Sequence, residues 1–94
     1  MIVSYRDSRT RAFALGKRVK AFGGIERAAH LRLDRLEAAV ALSDLAALPG
    51  NRFERLTGDR KGQCSIRINA QWRICFEWSP GALGPSNVEI VDYH

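Results

Sequence analysis

The sequence has few residues that would hold a metal ion or a disulfide framework. Its two cysteines, Cys64 and Cys75, lack the spacing of metal-binding pairs, and its two histidines are His30 and His94. A structural zinc site needs about four such ligands, and disulfide scaffolds belong to oxidising compartments. We therefore predict no metal site, no cofactor and cysteines that stay reduced, as in a cytoplasmic protein.

The sequence also lacks a long hydrophobic run. No uncharged segment approaches the roughly 18 residues that a transmembrane helix needs. Residues 1–7 show no basic region followed by an apolar stretch, so no signal peptide is visible. These two absences predict a cytoplasmic chain with no membrane partner.

What the sequence does have is a surplus of positive charge. Its 94 residues include 15 Lys and Arg against 10 Asp and Glu, for a net charge of +5. A chain of this length makes one domain, predicted over residues 1–94, and buries about 60–70% of its unfolded surface. The charge favours polyanionic partners, with nucleic acid ahead of an anionic membrane.

The first half is predicted to be mainly helical. Residues 2–5 are β-prone and predict an opening strand. Asp7 or Ser8 is suited to cap a first helix that continues to about Lys20. Apolar residues at positions 25, 29, 33, 36 and 40 predict an amphipathic second helix. The charged faces of both helices either stay solvated or contact phosphate or an acidic partner.

The second half is predicted to be rich in strands. Residues 52–56 form a short, imperfect strand that turns Glu54 or Arg55 outward, and residues 57–62 form a loop. Two longer strands follow, each with alternating apolar residues. A three-residue loop at positions 69–71 pairs Ile66 with Ile74, so that the two apolar rows share one face. This register places the two cysteines on opposite faces.

The same register sets Arg67 directly opposite Arg73 on the polar face. Like charges at facing positions destabilise a sheet, although a solvated pair is tolerable. An anion between the two side chains explains the pair better, because Arg binds phosphate with a rigid bidentate fork. Other basic residues lie nearby in sequence and are predicted to contribute to the same surface: Arg52, Arg55, Arg60 and Lys61.

Residues 87–94 run from a strand-like alternation into Asp92, Tyr93 and His94. An acid, a phenol and an imidazole at the end of an apolar strand predict a site for proton transfer or phosphate contact. Strict alternation puts Asp92 and His94 on the core side and Tyr93 on the open face, which His94 reaches only where the strand ends. The alternatives are an aromatic covering the core edge for Tyr93 and a cap or ion pair for Asp92.

Taken together, four segments resemble the HigB toxins of the RelE-like superfamily. The likeness covers nearly the whole chain, and the basic loop, the tryptophan-led strand and the terminal acid–phenol–imidazole set form a specific combination. The segments are Leu56-Thr57-Gly58-Asp59-Arg60-Lys61-Gly62, Ser65-Ile66-Arg67-Ile68-Asn69, Trp72-Arg73-Ile74-Cys75-Phe76 and Val88-Glu89-Ile90-Val91-Asp92-Tyr93-His94.

The resemblance implies an α+β fold, with an N-terminal strand and two to three helices packed on one face of an antiparallel sheet of four to five strands. It implies metal-independent cleavage of messenger RNA, typically on the translating ribosome, at the open face of that sheet. It also implies a HigA-like helix-turn-helix antitoxin that silences the toxin and carries the complex to operator DNA.

Residue by residue, the resemblance points to Arg73, Asp92, Tyr93 and His94 as catalytic, with Arg60 and Arg67 as phosphate contacts. Two positions depart from the family pattern. Glu54 stands where the family often has a histidine, and Thr57 stands where a lysine often follows. The usual assignment of acid and base therefore does not carry over.

The residues present suggest another division of labour. Metal-free RNA cleavage needs a base for the 2′-hydroxyl, stabilisation of the charged phosphorane, and an acid for the leaving 5′-oxygen. Glu54 is the candidate base, with a surface salt bridge to Arg52 or Arg55 as the alternative. His94 is the candidate acid, because imidazolium exists near neutral pH. The products would be 2′,3′-cyclic phosphate and 5′-hydroxyl ends.

Two other functions stay open at this point. A ParE-type toxin has a similar fold but inhibits DNA gyrase, and such an inhibitor needs no acid–base set. A weakened relative would act mainly by binding the antitoxin and, through it, DNA, and the departures at Glu54 and Thr57 allow this.

Overall fold

A computed structural model describes residues 1–92 of the chain. Three α-helices come first and four strands follow, so the predicted α+β class is confirmed. The helices are α1 (Ser8–Ala14), α2 (Glu26–Ala38) and α3 (Leu42–Ala46). Single 3-10 turns lie at Lys20–Phe22, Pro49–Asn51 and Gly58–Arg60. The strands are β1 (Glu54–Arg55), β2 (Cys64–Arg67), β3 (Trp72–Glu77) and β4 (Ser86–Asp92).

The strands form one antiparallel sheet in the order β1-β2-β3-β4. Ile66 faces Ile74 and Arg67 faces Arg73, which confirms the predicted hairpin register. The side chain of Asn69 closes the hairpin, because its Oδ1 accepts hydrogen bonds from the backbone N–H groups of Gln71 and Trp72, each at 2.8 Å. Free Cys64 and Cys75 lie on opposite faces, as predicted.

The predicted opening strand at residues 2–5 is present only as a short parallel contact along the outer edge of β4. Tyr5 forms a parallel bridge with Val88, and backbone hydrogen bonds flank it: the carbonyl of Ser4 accepts from the N–H of Val88 at 3.1 Å, and the N–H of Arg6 donates to the carbonyl of Val88 at 3.0 Å. The chain then turns into α1, whose Thr10 hydroxyl accepts a hydrogen bond of 3.2 Å from the backbone N–H of Ile90. A helical side chain thus occupies the edge of β4 that a longer strand would have used.

The first helix begins as predicted but ends earlier. Asp7 caps it, with its Oδ1 2.7 Å from the backbone N of Thr10. The helix stops at Ala14 and not near Lys20, because Gly16 has φ +93° and closes the helix. The N–H groups of Gly16 and Lys17 donate to the carbonyls of Phe13 and Ala12, the two bonds of a Schellman motif.

The second helix contributes the predicted apolar face except at its end. Ile25, Ala29, Leu33 and Leu36 are buried, whereas Val40 is 84% exposed. The helix ends at Ala38, and extended backbone at the following position breaks the helical period. The adjacent Ala39 is buried in place of Val40.

The core fills the space between the helices and one face of the sheet. The largest fully buried side chains there include Phe13, Phe22, Phe76, Leu36, Leu45, Ile66, Ile74 and Ile90. Phe22 contacts Phe13 and Trp72 in edge-to-face geometry, with ring centroids 5.3 and 5.7 Å apart, and so ties the helical half to the start of β3. Within residues 1–92 no helix is both long and apolar enough to cross a membrane.

Candidate nucleic-acid interface

The face of the sheet opposite the helices carries the polar side chains. Register places Glu54, Ser65, Cys75 and Glu89 side by side in one row across the four strands. Arg67, Arg73 and Val91 form the next row. We call these seven residues the outer face.

The facing arginines lie in the second row of the outer face. Arg67 and Arg73 are direct cross-strand partners, and both side chains are half-buried. The Nη1 of Arg73 donates to the backbone carbonyls of Asn69 at 2.6 Å and Trp72 at 3.2 Å, which holds its guanidinium at the hairpin. Two adjacent cations on a polar sheet surface make a site at which a phosphate is favoured over either neutral or cationic ligands.

The end of β2 is held by an arginine from the second helix. The Nε of Arg32 donates to the carbonyl of Arg67 at 2.9 Å. Burial, followed by the nearby charge of Arg35, lowers the pKa of Arg32. A neighbouring side chain, Asn51, is fully buried, accepts a hydrogen bond from Arg35 at 2.8 Å and donates to the carbonyl of Leu45 at 3.2 Å. Part of the basic face of α2 therefore supports the site and is not simply solvated.

Arg60 reaches over the outer face from the loop between β1 and β2. Its Nη1 lies 3.1 Å from the Gln63 amide oxygen and 3.3 Å from the Glu89 carboxylate on β4. Ser65 and Cys75, which lie in the row between β1 and β4, are each only 1% exposed. Lys61 follows Arg60 in the chain and is exposed.

The two residues of β1 have their side chains on opposite faces of the sheet. Glu54 pairs with Ser65 and lies on the outer face, while Arg55 pairs with Cys64 and lies on the helix side. The guanidinium of Arg55 is 5.9 Å from the centre of the Phe53 ring. Burial raises the pKa of the Cys64 thiol, and the charge of Arg55 partly opposes this. The structure thus does not bring Arg55 together with Arg67 and Arg73.

The predicted strand over residues 52–56 is shorter than expected, because Arg52 has φ 44°, in the left-handed region. Both residues of β1 are exposed. The ion pairs found within residues 1–92 join Arg6 and Arg60 to Glu89. No ion pair of Glu54 with Arg52 or Arg55 is found within these described residues.

Asp92 pairs with Trp72 in register and so follows the core-side parity predicted for it. Its Oδ2 accepts a hydrogen bond of 2.8 Å from the Gln71 side chain in the hairpin loop. Asp92 thereby lies beside the hairpin that carries Arg73. The other two predicted tail residues, Tyr93 and His94, lie outside the described residues.

Several residues of this interface were missed from the sequence. Glu89 was visible only as a polar position in an alternating strand, and its contact with Arg60 joins residues 29 positions apart. Asn51 follows Pro49 and Gly50, a combination typical of a turn that ends a helical segment, and nothing in that pattern indicates that its side chain is buried. No local pattern distinguishes these contacts, since each depends on which strands become neighbours.

The chain matches the model of one protein family over residues 5–94, described as the RelE-like toxin of type II toxin-antitoxin system HigB. It is 54% identical over 57 residues to the protein named Toxin HigB-1 from Vibrio cholerae, an overlap of 61% of this chain and 60% of that protein. It is 36% identical over 63 residues to Endoribonuclease HigB from Proteus vulgaris, an overlap of 65% of this chain and 66% of that protein. The matches thus span less than two thirds of either relative's length.

Proposed function

Because the chain belongs to the family of HigB toxins with the RelE-like fold, we propose that it is the toxin of a type II toxin–antitoxin pair and acts as a metal-independent messenger-RNA endoribonuclease. The observation that carries the proposal is the facing pair of Arg67 and Arg73 on the outer face. One relative is named an endoribonuclease, which supports the reaction class.

The arginine pair supplies the largest electrostatic contribution that such a reaction needs. Negative charge grows on the phosphate oxygens as the 2′-oxygen attacks, and donors fixed before the reaction stabilise that charge most effectively. The bonds from the Arg73 guanidinium to the hairpin carbonyls provide this fixation, and the bond from Arg32 holds the backbone of β2 at Arg67. Asp92 is hydrogen-bonded to the same hairpin through Gln71, and in this proposal it orients Tyr93 or His94.

Glu54 is the base in this proposal. It shares the outer face with Arg67, one strand away and two residues along, so their Cα atoms are separated by about 8 Å in regular sheet geometry. Two long side chains reach one phosphodiester unit from that separation. His94 is the acid that protonates the leaving 5′-oxygen, and Tyr93 contacts the phosphate or stacks on a base. The products are 2′,3′-cyclic phosphate and 5′-hydroxyl ends.

The proposal extends to partners and place of action. We assign cleavage to messenger RNA on the translating ribosome, in the cytoplasm, with Arg60, Lys61 and Arg67 contacting the RNA backbone. A HigA-like helix-turn-helix antitoxin would neutralise the chain, and operator DNA would be bound only through that antitoxin. The family description, which names a toxin–antitoxin system, supports an antitoxin partner in general terms.

The test is induced expression followed by two parallel measurements: mapping of new RNA 5′ ends and a gyrase supercoiling assay. We expect new 5′-hydroxyl ends within translated messages and unchanged supercoiling. Growth arrest with lost supercoiling and no new RNA ends would identify a ParE-like gyrase inhibitor instead. No arrest at all, in cells that lack an antitoxin, would identify a weakened relative that mainly binds the antitoxin.

A further inference from the structure

The outer face contains a carboxylate that a surface built only to attract RNA would not include. Glu89 lies in β4, and its Oε1 is 3.3 Å from the Nη1 of Arg60 and 3.7 Å from the Nε of Arg6. Its side chain is only 18% exposed. A negative charge on this face repels the phosphates of a polyanion. The contacts of Glu89 with two arginines indicate that it acts on these arginines and not on the RNA directly.

The contact with Glu89 requires Arg60 to cross the sheet. Arg60 belongs to the 3-10 turn that precedes β2, whereas Glu89 is on β4, which is separated from β2 by β3. Neighbouring strands are about 4.8 Å apart, so β2 and β4 are roughly 10 Å apart, and the side chains of Arg60 and Glu89 together bridge the strand between them. The row beneath it consists of Ser65 and Cys75, which are small and nearly fully buried. Small residues at these two positions leave the room that the arginine needs.

The same contact determines where the positive charge of Arg60 lies. Gln63 and Glu89 both accept from Nη1, at 3.1 and 3.3 Å, and so hold the end of a long side chain that otherwise has many rotamers. The row of Arg67 and Arg73 lies two residues further along β2 and toward the start of β3. A guanidinium held at Glu89 therefore lies on the same face as the facing pair, one row away from it.

We propose that Glu89 is a positioning residue, which holds the guanidinium of Arg60 against the outer face so that RNA meets it together with Arg67 and Arg73. The inference rests on the proposed function, because it assigns Arg60 to RNA phosphate. Fixing a side chain before binding removes the entropic cost of ordering it in the complex. Glu89 thus strengthens binding of an anion although it carries a negative charge itself.

The direction in which Glu89→Gln changes RNA affinity distinguishes this positioning role from a simple effect of charge. Glu89→Gln removes a negative charge from the RNA-binding face, which by electrostatics alone tightens RNA binding. If Glu89 positions Arg60, the same change weakens binding, by about five- to tenfold for one charge-assisted contact. The probe is a short single-stranded RNA that carries 2′-O-methyl groups to block cleavage, with binding measured by fluorescence anisotropy.

Glu77→Gln is the matched control. Glu77 lies two positions after Cys75 on the same face of β3, and its carboxylate accepts a hydrogen bond of 3.0 Å from the Asn87 side chain. It contacts none of the arginines of the outer face in the described structure. Removing this charge should leave RNA binding unchanged or slightly tighter. Melting temperatures of both variants report whether the fold is intact.

A double-mutant cycle with Arg60→Gln tests whether Glu89 acts through Arg60. Arg60→Gln should reduce the slope of log affinity against log salt by about 0.7, as expected for one contact to a single strand. In that background Glu89→Gln should no longer weaken binding. In cleavage of ribosome-bound messenger RNA, we expect Glu89→Gln to raise KM more than it lowers kcat.

The inference is overturned if a folded Glu89→Gln variant binds the RNA as tightly as Glu77→Gln, or if its effect persists in the Arg60→Gln background. If Glu89→Gln does not fold, Glu89→Asp is used instead. This variant keeps the negative charge but moves the carboxylate away from Arg60 by one methylene. Unchanged RNA binding by Glu89→Asp would overturn the proposal. RNA cleavage by the wild-type protein is measured separately, as the test of the proposed function. Its absence refutes the proposed function, whereas its presence with an unaffected Glu89 variant refutes only the positioning role.

Discussion

The two faces of the sheet use the same strands for different purposes. On β3, Ile74 is fully buried on the helix side, while its neighbours Arg73 and Cys75 belong to the outer face. The helix side is apolar and packed against α1 and α2, whereas on the outer face hydrogen bonds hold Arg73 at the hairpin and join Glu89 to Arg60. Stability and chemistry are therefore encoded in alternating positions and should respond to different substitutions.

The largest expected effect is on the helix side. Ile74→Ala should lower the free energy of unfolding by about 2–5 kcal/mol, because it leaves a cavity in the centre of the core. The measurement is urea denaturation followed by circular dichroism, and Leu83→Ala is the control, because Leu83 is 73% exposed. Equal losses for the two variants would contradict the assignment of the core to this face.

The next largest effect is expected on the cleavage rate. His94→Ala should reduce the cleavage rate by about 10²–10⁴-fold, as expected when a general acid is removed, and the melting temperature is recorded beside the rate. The pH–rate profile should also lose its alkaline limb, since the imidazolium supplies the proton only below its pKa. An unchanged rate and profile would end the assignment of His94 as the acid.

A smaller effect is expected where the helices support the outer face. Asn51→Ala should cost about 1–3 kcal/mol of stability, because it leaves the buried carbonyl of Leu45 and the guanidinium of Arg35 without their partner. The control is Asp34→Ala, which removes an exposed polar side chain on α2. If both variants unfold at the same urea concentration as wild type, the buried amide does not stabilise the turn.

The smallest effect depends on pH. Burial, and then the charge of Glu37, raise the pKa of Tyr5 above its usual value, with Arg11 in opposition. The folded chain therefore keeps the phenol proton more tightly than the unfolded chain. Its contribution is complete below the unfolded pKa of about 10 and is lost as pH rises through the folded value. Tyr5→Phe should flatten the fall of stability above about pH 10 in thermal melts, and an unchanged slope would contradict this linkage.

The local sequence pattern was sufficient to predict strand pairing where one face of each strand had to be buried. The pairing of Ile66 with Ile74, and with it the facing arginines, follows from period-two alternation and the three-residue loop at positions 69–71. The cap at Asp7 follows from side-chain chemistry alone. The early end of α1 was missed because Gly16 lies within a basic stretch that otherwise suits a helix.

Contacts between distant strands were beyond local rules. The side of the sheet taken by Glu54 and Arg55 depends on where the two-residue β1 begins, and the left-handed backbone at Arg52 decides that. The contact of Arg60 with Glu89 requires the complete strand order. The positions of Arg67 and Arg73 in the candidate site could therefore be predicted from the sequence, whereas the contacts at the edges of that site could not.

Charge reversal at the facing pair tests the central claim most directly. Purified wild-type protein, Arg73→Glu and Arg67→Glu are compared in single-turnover cleavage of ribosome-bound messenger RNA, with the melting temperature of each recorded beside the rate. We expect both variants to melt close to the wild-type temperature, since both side chains lie on the outer face, and to cleave at least about 10²-fold more slowly. A folded Arg73→Glu variant that cleaves at a near-wild-type rate would contradict the account.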